Sequence, residues 1–480
     1  MVRKVLVIGA GISGLTSIKA CLDEGLEPTC FESGHDMEEP EPGRANIYFS
    51  VILNSSKERM AYSDFPPPAE LPNNMHHSEV LLYLRLYAQN FNLLQHIHFK
   101  VLRALRASTT TAGITAVPKV CMEREWWWWG SGALEVILPW TSAELLKSRS
   151  GAWVVSRVGE GGLPVDMLGV SRLDMMLQRL FPSWSARVLE NKVNKVFDHR
   201  LYGLKPKHGI FAQNAVVSDD LPARIISGRV QVKPNVKEFR GSRVVFEDGS
   251  SLDKVDLVVF ATGYNYGFPF LPPELQTKCG YRLRLYKHVF PPSLTPPTLA
   301  VVGFVHGLGA LTPMAEMQAR WATRVFKGLI HLPSEETMLQ DIERDMATMH
   351  QKYACSEHTP IQVDYIPYLD SLADLVGVRP NIPRLFLKDP RLAMEILLGP
   401  CTSYQYRLSG PGQWAGARQA ILTQWERVLQ PFRSRVLPEP EHKPSSGLSI
   451  MMVFSGEALL CCFFINKQTL SSFFPLKLSH

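Results

Sequence analysis

The chain has 480 residues, 45% hydrophobic and 20% charged, an ordinary globular balance and a length that accommodates two or three domains. Its formal net charge of +6 arises from 51 basic and 45 acidic residues without a concentrated basic face, which argues against nucleic acid as a partner. The eight cysteines have neither metal-ligand spacing nor the density of a disulfide scaffold, so reduced thiols facing the cytosol are expected.

Arg3 and Lys4 followed by VLVIGAGISGL superficially resemble the start of a secretory signal, but the glycines argue otherwise. Val5 to Ile8 is an all-apolar run suited to a strand buried on both faces. It leads into Gly9, Ala10, Gly11, Ile12, Ser13 and Gly14, then into helical spacing from Leu15 to Leu22, then into a second strand ending at Glu32. This is a βαβ unit, and the fold class it predicts is α/β. The first glycine permits a tight turn, the second lets backbone approach a pyrophosphate, and the third lets helix and strand pack closely. Phosphate would rest on the unpaired N–H groups at the positive end of the helix dipole. Glu32, 18 residues after Gly14, stands where a carboxylate accepts both hydroxyls of an adenosine ribose. A carboxylate there disfavours a 2′-phosphate, so FAD or NAD fits this site better than NADP.

Further along, LRALRASTTTAGITAVPKVCMEREWWWWGSGALEVILPW shows no sustained period of 2 or 3.6. Four adjacent indoles would alternate faces in a strand and point all round in a helix, and neither arrangement hides them. The run reads as a spliced or mis-joined segment, against an aromatic binding platform, a membrane-interface belt or a structural cluster. Asp256 to Tyr264, DLVVFATGY, predicts a buried strand and a small-residue turn at Thr262 and Gly263 where backbone can pass a cofactor. Leu299 to Val305 is a third strand-like run that could close the same sheet, and the helical stretch MAEMQARWATRVFKG follows. Arg433 to Ser446 is a proline-rich linker. Leu448 to Ile465 is apolar but interrupted by Glu457. Its Leu, Ile, Val and Phe residues favour insertion by roughly 3–5 kcal/mol, against about 2.5–3.5 for the acid. Membrane association is expected, with a surface-lying segment or a core helix as the alternatives.

The chain resembles the microsomal flavin-containing monooxygenases, the dimethylaniline N-oxide-forming type. The resemblance is carried by GAGISGL at 9–15, EGLEPTCFE at 24–32, GRANIYFSVILNSSKERM at 43–60 and DFPPP at 64–68. It continues in SRSGAWVVSRV at 148–158, VKPNVKEF at 232–239, VVFATGY at 258–264, NIPRLFLKDPRLAMEILLGPC at 381–401 and GPGQWAGARQAILTQWERVL at 410–429. It covers nearly the whole chain outside about 101–147 and the last thirty or so residues. It implies a two-dinucleotide-binding flavoprotein with a split FAD Rossmann domain. NADPH would reduce FAD, and oxygen would add to the ring as a C4a-hydroperoxide that passes one atom to nitrogen or sulfur of small lipophilic amines or sulfides. No protein nucleophile or metal is needed. The resemblance places FAD on Gly9, Ala10, Gly11, Ile12, Ser13 and Gly14, with Glu32 on the ribose and Leu53, Asn54 and Ser55 beside the flavin. Asn54 would be the catalytic amide, because it can donate and accept without titrating. Arg149 would clamp the 2′-phosphate of NADPH. The family also implies a hydrophobic anchor in the endoplasmic reticulum membrane, with the protein on its cytosolic face.

Two departures accompany the resemblance. The second Gly-rich turn, GxGxSG, is absent between Phe99 and Ser148, as is the FxGxxxH signature before it, and MEEPEP replaces GGLW after Asp36. Losing a phosphate-cradling turn removes several charge-assisted hydrogen bonds, each worth about 1.5–3 kcal/mol, so NADPH binding is expected to be weak or absent. The expected organisation is an FAD domain formed by 1–100 and 250–430 in one sheet, with 101–249 inserted as a reduced NADPH-domain remnant. A linker at 431–447 and a tail at 448–480 follow. The alternative to an active monooxygenase is a catalytically impaired FAD-binding relative or splice product. A simple NAD-dependent dehydrogenase lacks a convincing acid–base set.

Overall fold

The computed structural model describes residues 3–34, 36, 50–101, 151–213, 215–259, 268, 271, 283–307, 309–352 and 361–434, together with backbone strands at 115–117, 134–138 and 144–148. The apolar run forms β1 (Lys4–Ile8), followed by α1 (Ile12–Asp23) and β2 (Glu27–Phe31), as the amino-terminal pattern predicts. Gly25, at φ 67°, ends the helix in the left-handed region that a side chain disfavours. There follow α2 (Lys57–Met60), α3 (His77–Asn90), β3 (Ile97–His98), β4 (Thr115–Val117), β5 (Leu134–Leu138), β6 (Glu144–Ser148) and β7 (Val154–Val155). The chain then runs through α4 (Val165–Leu168), α5 (Arg172–Leu180), α6 (Pro182–Val196), β8 (Val216–Val217), α7 (Leu221–Ile226) and β9 (Val230–Lys233). Three short strands β10 (Val236–Arg240), β11 (Arg243–Phe246) and β12 (Ser251–Leu252) form an antiparallel ribbon, and β13 (Leu257–Val259) follows it. The last part holds β14 (His306–Gly307), α8 (Leu311–Phe326), α9 (Glu335–Lys352), β15 (Gln362–Val363) and α10 (Tyr365–Val376).

One sheet has the order β3-β2-β1-β4 and is parallel throughout, with Lys4 opposite Glu27, Val5 opposite Thr115 and Cys30 opposite Ile97. Central β1 buries Val5 and Val7 completely on one face and leaves Leu6 and Ile8 half-buried on the other, so both faces are at least partly covered and both are apolar. α1 packs against α8, and α8 is buried over nearly its whole length, including Trp321 and Glu316. The run at 299–305 is buried as expected, although Leu299 and Val302 make only isolated bridges and no ladder forms there among the described residues.

Two sequence expectations need correction. Residues 101–147, read as lacking a period, contribute β4 to the first sheet and β5 and β6 to a second, of order β13-β5-β6-β9. Strands of three to five residues are too short to display a period across the window in which one is sought. β13 was expected to be buried in the first sheet. It is instead an edge strand of the second, paired antiparallel with β5, and Leu257 is exposed. Among the described residues, the 250–430 region joins the first sheet's layer through α8 and the buried run at 299–305 rather than through a strand. No helix among the described residues is long and apolar enough to cross a membrane. The tryptophan run, the MEEPEP segment and 448–465 lie outside the described residues.

Candidate functional site

The turn between β1 and α1 has the geometry its glycines predict. Gly9 adopts φ 96°, and its N–H donates to the Phe31 carbonyl at 2.8 Å, locking the turn to the end of β2. A Cβ added at Gly14 would lie 1.8 Å from the Gly9 carbonyl oxygen, so the helix can approach the strand this closely only with glycine. Gly11 caps α1 in an extended conformation with no side-chain hydrogen bond, and the first turn carries no acid. The leading N–H groups of the helix therefore have no side-chain cap competing for them. Gly303, at φ 90°, comes so close to the same turn that a Cβ there would stand 2.2 Å from Ser13 Oγ. Gln318 Oε1 accepts the Gly303 N–H at 2.6 Å and fixes that approach.

Glu32 directly follows β2, with only 4% of its surface exposed. Its Oε2 accepts the Ala10 N–H at 2.8 Å, and its Oε1 accepts the Gly34 N–H at 3.0 Å and the Ser33 hydroxyl at 3.1 Å. The acid shapes the loop it was expected to serve.

The second group lies at Leu53, Asn54 and Ser55. Leu53 N–H donates to Met75 O at 2.8 Å, and Asn74 Nδ2 donates to the Leu53 and Asn54 carbonyls at 3.1 and 3.2 Å. Arg157 Nη2 donates to Asn54 Oδ1 at 2.8 Å, and Arg157 Nε reaches Leu53 O at 3.3 Å. Asp219 holds the guanidinium from the other side at 2.7 Å; burial pushes the Asp219 carboxyl up, but the hydrogen bonds from the Ser156 hydroxyl and from Arg157 outweigh it and hold the carboxyl below its ordinary range. Two residues on, Ser56 donates through N–H and hydroxyl to Asp166 Oδ2, at 2.7 and 3.1 Å. Burial pushes the Asp166 carboxyl up, and nearby Arg59 and the Ser56 donors offset part of that. The 53–56 segment is thus fastened to α4 and to the ends of β7 and β8.

The structure brings Gly9, Ala10, Gly11, Ile12, Ser13, Gly14 and Glu32 into one turn. It places Leu53, Asn54 and Ser55 in a separately braced segment. Arg149, Thr262 and Gly263 lie outside the described residues. Sequence reasoning missed Arg157, Asp219, Asp166 and Gly303. Arg157 stands 103 residues from Asn54, and no spacing rule connects them. Among the described residues no group of His, Cys, Asp and Glu could hold a metal ion.

Comparison with known proteins adds a matching family model, described as flavin-binding monooxygenase-like, over residues 2–118 and 133–468. The match extends beyond the stretches first noticed, into 101–118, 133–147 and the tail to 468, and it breaks only across 119–132, which contain the four tryptophans. Flavin-containing monooxygenase 5 of Mus musculus is 42% identical, covering 94% of this chain and 96% of that protein. Dimethylaniline monooxygenase [N-oxide-forming] 2 of the same species is 38% identical, covering 98% and 100%. In the first comparison the alignment runs to 518 positions against about 451 residues of this chain (94% of 480), so roughly 67 of those positions have no residue here. Among solved structures, the S-allyl-L-cysteine S-oxygenase of Allium sativum has a TM-score of 0.51 at 20% identity, covering 88% of this chain and 99% of that one. A steroid monooxygenase bound to NADP has a TM-score of 0.51 at 14% identity, covering 78% and 98%. Both support the two-dinucleotide-binding fold.

Proposed function

This chain belongs to the flavin-binding monooxygenase-like family, and from that premise we propose that it binds FAD and transfers one oxygen atom from O2 to nitrogen or sulfur of small lipophilic amines and sulfides, with NADPH as reductant. The observation that carries the reading is the fit of the first turn to a dinucleotide diphosphate. Gly9 takes a left-handed φ, Gly14 leaves no room for a methyl group against Gly9, and the α1 amino terminus has no side-chain cap. A diphosphate would accept from the leading N–H groups of α1, and Glu32 would accept from the adenosine ribose. Bound FAD would supply the chemistry that no side chain here can, accepting a hydride and, once reduced, activating O2. The chain's own tasks would be to seat the cofactor, to present the Asn54 amide as a hydrogen-bond donor and to keep water out.

A second reading is favoured by the roughly 67 positions of the alignment to the mouse relative at which this chain has no residue, and by the break in the family match at 119–132. It is a protein that holds FAD but lacks a working NADPH site, with Arg149 alone left to meet the 2′-phosphate. The apolar run at 448–465 supports association with a membrane, and we place the protein on the cytosolic face of the endoplasmic reticulum. Mixing the FAD-loaded protein with NADPH without oxygen separates the two readings. Bleaching of the flavin, followed in air by conversion of a dialkyl sulfide to its sulfoxide, supports the oxygenase. Flavin that stays oxidised at high NADPH defeats that activity and leaves the second reading.

A further inference from the structure

We propose that Arg157 is a positioning residue that sets the polarity of the Asn54 amide, turning its NH2 group away from the guanidinium and toward the cofactor crevice. The proposal rests on the reading that Asn54 lies beside bound flavin. An amide side chain can be turned over about its last bond, exchanging oxygen for nitrogen at nearly the same positions. What decides the orientation is the neighbour. A guanidinium has only donors and does not lose its charge. Arg157 Nη2 stands 2.8 Å from the Asn54 amide, so the atom facing it must be the acceptor Oδ1, because the reverse rotamer would oppose two donors.

The rest of the surroundings leave that orientation as the one remaining choice. Both backbone carbonyls, of Leu53 and Asn54, are held by Asn74, and Leu53 N–H is held by Met75 O. Arg157 itself cannot swing away easily. Asp219 accepts from its Nη1 at 2.7 Å and from its backbone N–H at 2.8 Å, while Ser156 Oγ donates to the same carboxylate at 2.7 Å. The Arg157 side chain is only 16% exposed. Asn54 Nδ2 makes no hydrogen bond among the described residues, and Asn54 is partly exposed, so an N–H donor is left open. A donor beside a ring that gains negative charge on reduction stabilises the reduced form. Because Arg157 and Asp219 are paired, the influence of Arg157 on the flavin runs through the amide rather than through its own charge.

The test uses the full chain loaded with FAD, reduced photochemically in the presence of reference dyes, so that NADPH is not required. The readout is the midpoint potential of the bound flavin, with FAD content and the visible circular dichroism spectrum recorded alongside. Asn54→Ser is expected to lower the potential, and Arg157→Met to lower it in the same direction at unchanged FAD content. In the Asn54→Ser background Arg157→Met is expected to have no further effect, and in the parent Arg157→Lys is expected to give a smaller shift than Arg157→Met, because its ammonium still offers donors without the planar fork. Should Arg157→Met fail to fold, Arg157→Lys carries the test, since it keeps the charge beside Asp219 while weakening the hold on the amide, and a smaller shift of the same sign is expected. An Arg157→Met shift equal in both backgrounds overturns the proposal, because it would mark a direct charge effect. So does a shift with Asn54→Ser and none with Arg157→Met. A silent Asn54→Ser instead removes the reading of Asn54 as the flavin-facing amide, and the proposal falls with it.

Discussion

Gly14 is the residue on which the cofactor site depends most sharply. Gly14→Ala places a methyl group 1.8 Å from the Gly9 carbonyl oxygen, and backbone rather than a flexible side-chain end has to move. The expected result is loss of FAD binding together with a lowered melting temperature, measured by flavin content after loading and by thermal denaturation. Glu32→Ala removes the acceptor for the Ala10 and Gly34 N–H groups, and hydrogen bonds to a charged group contribute about 1.5–3 kcal/mol each. FAD affinity is expected to fall by at least tenfold in a fluorescence titration, with a smaller loss for Glu32→Gln, which keeps an acceptor. These positions were legible in the sequence because their roles are local: strand, turn, helix and acid follow one another within Lys4 to Glu32. Arg157 and Asp166 were not legible. Each reaches the 53–56 segment across more than a hundred residues, and the arginine within WVVSRV is indistinguishable in sequence from a surface arginine.

At the scale of elements, α1, α8 and the first two strands follow from periodicity, while β4, β5 and β6 do not, because each is short and takes its identity from its neighbour. The Val302 run shows the converse, apolar and fully buried without a ladder. The segments carrying His288 and His306 make a different kind of statement. Burial, joined at His288 by the neighbouring Lys287 cation, holds the two rings down to about 4 and about 3. Unfolded, such rings take up a proton near pH 6.5. The folded state therefore binds fewer protons, so the stability carried by these groups is complete above about pH 6.5 and is lost as pH falls toward 4. The raised carboxyls of Asp166 and Glu395 act in the opposite sense, since folding favours their protonated form. The histidine contribution is isolated by comparing urea midpoints of the protein and its His306→Gln variant. The variant's curve is expected to be flatter between pH 6.5 and 4.

Across the whole molecule, one buried ion network ties together pieces that lie far apart in sequence. Lys19 of α1 meets Asp64 at 2.6 Å, Arg407 meets Asp64 and Glu316 of α8 at 2.9 Å, and Glu316 also accepts the Ser63 N–H and hydroxyl. Removing one member of such a group leaves buried charge without its partner. Arg407→Ala is expected to cost about 3–5 kcal/mol, read as a lower midpoint in chemical denaturation and as earlier release of bound flavin on heating. The network braces the packing of α1 on α8, and with it the turn in which Gly9, Gly14 and Ser13 meet Gly303. The most direct measurement of that turn's purpose is a titration of the purified, folded full chain with FAD, followed by flavin fluorescence and visible absorbance, with Gly14→Ala in parallel. Saturable uptake of one FAD per chain, lost in the variant, is the expected result. A folded chain that stays colourless, or a Gly14→Ala variant that takes up flavin as well as the parent, would contradict the account.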